Sequence, residues 1–147
     1  MNTKTLSIAI VVSEFNTDIT SELERGCYQT LRDKGVPAAH IRVIKVPGAI
    51  EIPLALQKLA KTKRYQALIA LGAVIRGETT HYDYVCEQVS QGCQKIMLEH
   101  EIPVIFGILT TENDEQAVAR IGGQHGHKGV DAAEAALTMI DILASIE

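Results

Sequence analysis

Cysteine is scarce and poorly spaced for chemistry. Cys27, Cys86 and Cys93 include no Cys-x-x-Cys pair. All three fall in helical patterns, and Cys86 and Cys93 stand seven apart on one helix face. A disulfide framework and a zinc site are therefore excluded, and the thiols read as small buried hydrophobes. Basic residues are outnumbered, with 14 lysines and arginines against 18 acids and a net charge of −4. No basic stripe is available for general nucleic-acid binding, although a local cationic cluster could still dominate one site. Long apolar runs are missing too, since none approaches the roughly 20 residues of a membrane span. The opening residues lead straight into a strand-like segment without a cleavable signal pattern. A cytoplasmic protein with no membrane partner is expected. No internal repeat, low-complexity tract or linker appears in the 147 residues. The expectation is a single domain over 1–147, burying about 68–70% of its unfolded surface.

What is present is an ordinary globular composition, 46% hydrophobic and 22% charged, with strand and helix patterns in alternation. Four strands are predicted, at Ser7–Ser13, His40–Val46, Ala67–Val74 and Pro103–Leu109. The first, third and fourth are nearly continuous apolar runs, as strands covered on both faces should be. The second carries Arg42 and Lys45 and reads as an edge. Helices are predicted over Thr20–Asp33, Ala49–Lys61, Tyr82–His100, Asn113–Ile121 and Val130–Ile146, with Gly35 as the stop of the first. The segment Gly122–Gly129 reads as a glycine-rich loop. This order implies an α/β three-layer α/β/α sandwich, flavodoxin-like, with a four-stranded parallel sheet in the order 2-1-3-4.

In such a sheet the carboxyl ends of all strands face one side, where ligands bind. The four ends lead into Glu14-Phe15-Asn16, Pro47-Gly48-Ala49-Ile50-Glu51, Arg76-Gly77-Glu78-Thr79-Thr80-His81 and Thr110-Thr111-Glu112-Asn113. The third is the most informative. It is a polar loop between a buried strand and a long helix, with an arginine, two hydroxyls and a histidine that suit an anion and an adjacent proton transfer. His81 falls in a first helical turn, where the dipole disfavours a cation and favours the neutral, proton-accepting imidazole.

Plainer readings stand beside these. Thr80 with Asp83, and Thr111 with Asp114, fit capping boxes, and plain capping is the favoured reading at Thr111. Phe15 could be core, and Glu51 could merely complement a helix dipole. His125-x-His127 lacks a third ligand, so no metal is expected. Arg120 and Lys128 flank the glycine-rich loop, where a solvated surface is the usual fate of such charges.

Several ordered motifs nevertheless resemble one family. They are Phe15-Asn16, Val46-Pro-Gly-Ala-Ile-Glu-Ile-Pro53, Leu71-Gly-Ala-Val-Ile-Arg-Gly77, Thr79-Thr-His-Tyr-Asp-Tyr-Val85, Pro103 through Asn113, and Lys128-Gly129. Together they resemble the lumazine synthases of riboflavin biosynthesis, from about Ile8 to the C-terminus. The resemblance implies a transferase without a cofactor. It would condense 5-amino-6-(D-ribitylamino)uracil with 3,4-dihydroxy-2-butanone 4-phosphate to 6,7-dimethyl-8-ribityllumazine, releasing phosphate and water. It also implies roles at matching positions. Phe15 would stack on the pyrimidine, and Glu51 would bind ribityl hydroxyls with backbone help from Ala49 and Ile50. Gly77, Glu78 and Thr79 would hold phosphate, and His81 would shuttle protons. Asn16, Gly48, Val74, Ile75 and Thr80 would complete the substrate-binding set. Phe106, Arg120 and Lys128 would come from a neighbouring subunit of a homopentamer, with Arg120 closing the phosphate clamp.

The chain also departs from the family pattern. Glu78 stands where a small neutral residue is expected, so its side chain must point away from the anion. Gly122–His127 differs in detail but carries no insertion, and in this family a short loop goes with sixty-subunit icosahedral shells. About seven residues precede the first strand, fewer than the family's extra N-terminal strand needs, which favours the pentamer. Riboflavin synthase is the macromolecular partner that the resemblance allows.

Two other classes fit less well. A non-catalytic flavodoxin-like module binding a flavin or nucleotide leaves His81 unexplained. A receiver-type signalling domain needs an acidic cluster at the first strand end and an aspartate after the third, and neither is present.

Overall fold

A computed structural model describes residues 1–146. Its sheet contains β1 (Ile8–Ser13), β2 (Ile41–Val46), β3 (Ala67–Ile75) and β4 (Val104–Thr111). All pairings are parallel and the order is β2-β1-β3-β4, as the alternation of patterns predicts. The helices are α1 (Thr17–Asp33), α2 (Ile52–Lys61), α3 (His81–His100), α4 (Asp114–Val118) and α5 (Lys128–Ile146).

Side chains that alternate along a strand go to opposite faces, and the two cores divide that way. Ile8, Ile10 and Val12 of β1 and Ile69 and Leu71 of β3 pack with Leu23 and Leu31 of α1 and Ala133 and Leu137 of α5. Ala9, Val11, Leu68 and Ala70 pack with Ile52 and Leu56 of α2 and Val89 and Ile96 of α3. The result is helix, sheet, helix. In β2 only Ile41 and Val46 are buried, while Arg42 and Lys45 are exposed, and it occupies the predicted edge.

Local boundaries depart from the sequence reading where special backbone intervenes. Helix α1 starts three residues early because Asn16 adopts a left-handed conformation, φ 66°, and its carbonyl accepts from Ile19 and Thr20. The predicted second helix is tightened to a 3-10 turn over Ala49–Glu51 before α2 begins, with Pro53 in its first turn, where a missing N–H costs nothing. The glycine-rich segment is not a loop. It forms an antiparallel hairpin of β5 (Ile121–Gly123) and β6 (Gly126–His127), with Gly122 and Gly126 at positive φ. Such short, glycine-rich strands lack the β-branched signal that announces a strand. Helix α4 is accordingly only five residues long.

The sheet is staggered at its carboxyl end. Pairing of β1 with β3 stops at Val12–Leu71, whereas β3 and β4 stay paired to Ile75–Thr111. Gly72–Ile75 therefore stand above the end of β1 with one backbone edge uncovered on that side. Asn16 fills part of this step, since its Nδ2 donates to the Ala73 carbonyl at 2.9 Å.

Burial pushes the thiols of Cys27 and Cys93 up to about 12. In the unfolded chain a thiol deprotonates near 8.5, so above that pH the unfolded state binds fewer protons than the native one. The stability these thiols contribute is complete below about pH 8.5 and is lost as pH rises toward 12. Iodoacetamide at pH 8.5 should spare both residues, as read by mass spectrometry, until urea unfolds the chain. Modification of either in the native protein at the unfolded rate would contradict this burial.

Candidate active site

The step above β1 is the floor of a cavity of about 510 Å³, within the range of small-molecule sites. Phe15 and Asn16 line it from β1, Gly48–Glu51 from β2, and Val74, Ile75, Gly77, Thr79 and His81 from the β3–α3 connection. Most of the residues predicted from strand ends thus meet in one place. Glu78 and Thr80 are exposed and lie outside the lining. Phe106, Arg120 and Lys128 are not at this cavity. They line a second concavity of about 410 Å³ formed by β4 and the start of α5. Ala73, Tyr82, Val85 and Asp114 also line the first cavity. Sequence reasoning missed these four. Tyr82, adjacent to His81, offered the clearest signal.

Phe15 is 66% exposed, although its backbone is fixed. Its N–H donates to the Pro47 carbonyl at 3.0 Å, and that of Glu14 donates to Val46 at 2.8 Å. An exposed aromatic on a pinned backbone is a flat platform for a planar ring. In the same cavity, the Glu51 carboxylate accepts the Gly48 N–H at 2.9 Å. One of its oxygens caps the turn, and capping and ligand binding can share the group.

The β3–α3 loop presents backbone donors of the kind that can hold an anion. Among the described residues, the N–H groups of Gly77, Glu78, Thr79 and Thr80 donate to no protein acceptor. They lead into α3, a 20-residue helix whose dipole adds partial positive charge at this end. The predicted Thr80 capping box is absent. Thr80 occupies the cap position, but its side chain makes no capping bond; the Thr79 hydroxyl instead accepts from the His81 N–H at 3.3 Å. The cap residue here has helical backbone angles, φ −72° and ψ −1°, which turn its hydroxyl away from the N3 amide. Thr111 also differs from the sequence reading. It is buried at the end of β4 and donates to the Asn113 carbonyl, while Asn113 caps α4 by accepting from Gln116 at 2.9 Å. The short β4–α4 turn places the cap two residues later than the Thr-x-x-Asp pattern implied.

Arg76, read from sequence as part of an anion-binding loop, is committed elsewhere. Its Nε donates to Glu112 at 2.5 Å, its Nη2 donates to Asp83 at 3.2 Å, and its guanidinium lies 4.3 Å from the Tyr82 ring centroid. These bonds, that with Glu112 foremost, hold its pKa above the usual arginine value. Arg76 braces the ends of β3 and β4 against the first turn of α3 and contributes no free positive charge.

Arg120 and Lys128 are held more loosely. Arg120 Nη1 donates to the Gln116 carbonyl at 2.7 Å. Lys128 Nζ lies 3.7 Å from Asp131, one turn along α5. Among the described residues no group of three or more His, Cys, Asp or Glu could hold a metal ion. No helix among them is long and apolar enough to cross a membrane.

Residues 5–144 match the family model described as 6,7-dimethyl-8-ribityllumazine synthase. Relatives of that name from Coxiella burnetii strains CbuG_Q212 and RSA 493 / Nine Mile phase I are each 54% identical over 147 residues. Each alignment covers 100% of this chain and 97% of the relative.

The ion pairs of Arg76 are solvent-exposed, so they should contribute little to stability and be screened by salt. Arg76→Met should lower the urea midpoint at low ionic strength. Most of that difference should vanish in about 1 M NaCl, where the Debye length is about 3 Å. An equal loss at both salt concentrations would assign Arg76 to packing rather than to charge.

Proposed function

This chain belongs to the 6,7-dimethyl-8-ribityllumazine synthase family, and from that premise we propose how its two concavities carry out the family's reaction. The reaction condenses 5-amino-6-(D-ribitylamino)uracil with 3,4-dihydroxy-2-butanone 4-phosphate. The amine adds to the ketone and water leaves as the imine forms. Phosphate is then eliminated, and ring closure expels a second water. Among the described residues, the groups that meet at the cavity are the aromatic rings of Phe15 and Tyr82, the carboxylates of Glu51 and Asp114, free amides and one imidazole.

The observation that carries the assignment is the set of unused N–H groups at Gly77–Thr80, of which Gly77 and Thr79 line, with His81, the cavity that Phe15 overlooks. The phosphate binds these amides and the Thr79 hydroxyl. The pyrimidine stacks on Phe15, and the ribityl chain runs toward Glu51 and the backbone of Gly48–Ile50. Asn16, Val74 and Ile75 shape the floor. Glu78 is exposed, which keeps its carboxylate from the dianion. His81 takes and returns protons at the reacting amine and ketone. Holding two substrates together can contribute up to roughly 7–11 kcal/mol, against about 10²–10⁴-fold from a general acid/base.

Phe106, Arg120 and Lys128 line a concavity that shares no residue with the first, and β4, which carries Phe106, is the edge strand opposite β2. The proposed assembly is a homopentamer in which each β4 edge and α5 start closes the neighbour's cavity. Arg120 there meets the phosphate, with Lys128 beside it as a second cation, and Phe106 covers the ring. One domain, a cytoplasmic location and no cofactor complete the proposal. A sixty-subunit shell is a further assembly of the same ring.

Mixing the protein with both substrates should release phosphate and fluorescent lumazine in step; lumazine without phosphate would refute the mechanism. Sedimentation should give a species of five subunits or a multiple of five, and a monomer active at full rate would exclude the shared site. His81→Ala should slow kcat by no more than about a hundredfold, the low end for a general acid/base; complete loss in a folded, substrate-binding variant would mean His81 contributes more. Arg120→Ala should chiefly raise KM for the butanone phosphate, because the contact exists in ground and transition states alike.

A further inference from the structure

The hairpin before α5 contains a histidine to which the reaction above gives no role. His127 pairs with Ile121 across the hairpin, and its ring folds back over the first turn of α5. Nδ1 lies 3.1 Å from the Gly129 nitrogen and 3.3 Å from the Val130 nitrogen. Both nitrogens are N–H donors, so Nδ1 accepts and the ring proton sits on Nε2. Nε2 itself is buried, with no protein partner among the described residues.

Two glycines make room for this ring. A Cβ on Gly26 of α1 would lie 2.3 Å from Cε1 and 2.7 Å from Nε2. A Cβ on Gly129 would lie 3.0 Å from Cε1 and 2.2 Å from the Leu23 carbonyl oxygen. The imidazole is thus wedged between α1 and the start of α5, and it supplies the acceptor that a helix N-terminus needs. The residue between the hairpin and this socket is Lys128. Its N–H donates to the Arg120 carbonyl at 2.8 Å, and the His125 N–H donates to Ala119 at 2.8 Å. The hairpin, Arg120 and Lys128 are therefore tied to the same fixed point.

Resting on the reading that Arg120 and Lys128 complete the anion site, we propose that His127 is the positioning residue for that pair. Its capped, socketed ring fixes where α5 begins and so the direction from which both cations reach the butanone phosphate. It does not itself touch substrate.

His127→Ala should raise KM for the butanone phosphate, with kcat reduced less. The size follows from misplacing a binding group, which by about 1 Å can cost up to a hundredfold. His127→Asn carries an oxygen that can accept the same N–H groups and should return KM most of the way. Amide exchange at Gly129 and Val130 should accelerate in the alanine variant and stay slow in the asparagine variant. Gly26→Ala, which displaces the ring without deleting it, should reproduce the KM rise, and it decides the matter if His127→Ala does not fold.

An unchanged KM in folded Gly26→Ala or His127→Ala with fast exchange at Gly129 overturns the positioning role. Arg120→Ala and Lys128→Met separate the two readings. If both leave KM unchanged, the shared anion site fails whatever His127 does. If they raise KM and the His127 and Gly26 variants do not, only the positioning role fails.

Discussion

The stagger between β1 and β3 is the constraint on which the rest of the site depends. β1 ends its pairing at Val12 while β3 runs on to Ile75. A step opens between them, walled by backbone that no strand covers. Had β1 continued four residues further, its ladder would have filled that space and covered the backbone edge of Ala73 to Ile75. Instead the chain breaks away at Asn16, a non-glycine residue in the left-handed region. Such a conformation costs roughly 1 kcal/mol or more and is least costly for Asn, whose short amide can bond locally. Here that amide donates to Ala73. One residue thus ends the strand, starts α1, anchors it to β3 and leaves Phe15 projecting over the cavity.

The layers of the fold were legible in the sequence because they rest on periodicity. Continuous apolar runs at β1, β3 and β4 mark strands covered on both faces, and Arg42 and Lys45 mark β2 as an edge. Strand order followed from that and from parallel crossovers. The gathering of strand ends around one cavity followed too, since parallel topology leaves no other side for them.

What failed was local hydrogen-bond chemistry. Thr80 and Thr111 each stand three residues before an aspartate, yet neither caps, because a cap is decided by backbone angles and by which oxygen arrives first. Arg76 resembled an anion ligand until Glu112, 36 residues away, was seen to claim it. His127 resembled half of a metal motif; its partners are two amides of the next turn and two bare Cα atoms, which no spacing rule reads.

Charge at the site follows from the same distinction between committed and available groups. The net charge of −4 is no obstacle to a phosphate substrate, because in the proposed site binding draws on amides and on whichever cations can be released. Arg76 cannot be released cheaply, since two carboxylates and an aromatic ring hold it at once. Lys128 can, because its only ion pair among the described residues is 3.7 Å long and exposed, worth about 0.2–1 kcal/mol. Arg120 gives up one neutral carbonyl. A phosphate can take an arginine through two parallel charge-assisted bonds in place of one, so the proposed exchange favours the ligand at Arg120. In the proposed ring, such loosely held cations can turn from their own chain to a neighbour's ligand, while the braced arginine keeps the amide loop in shape.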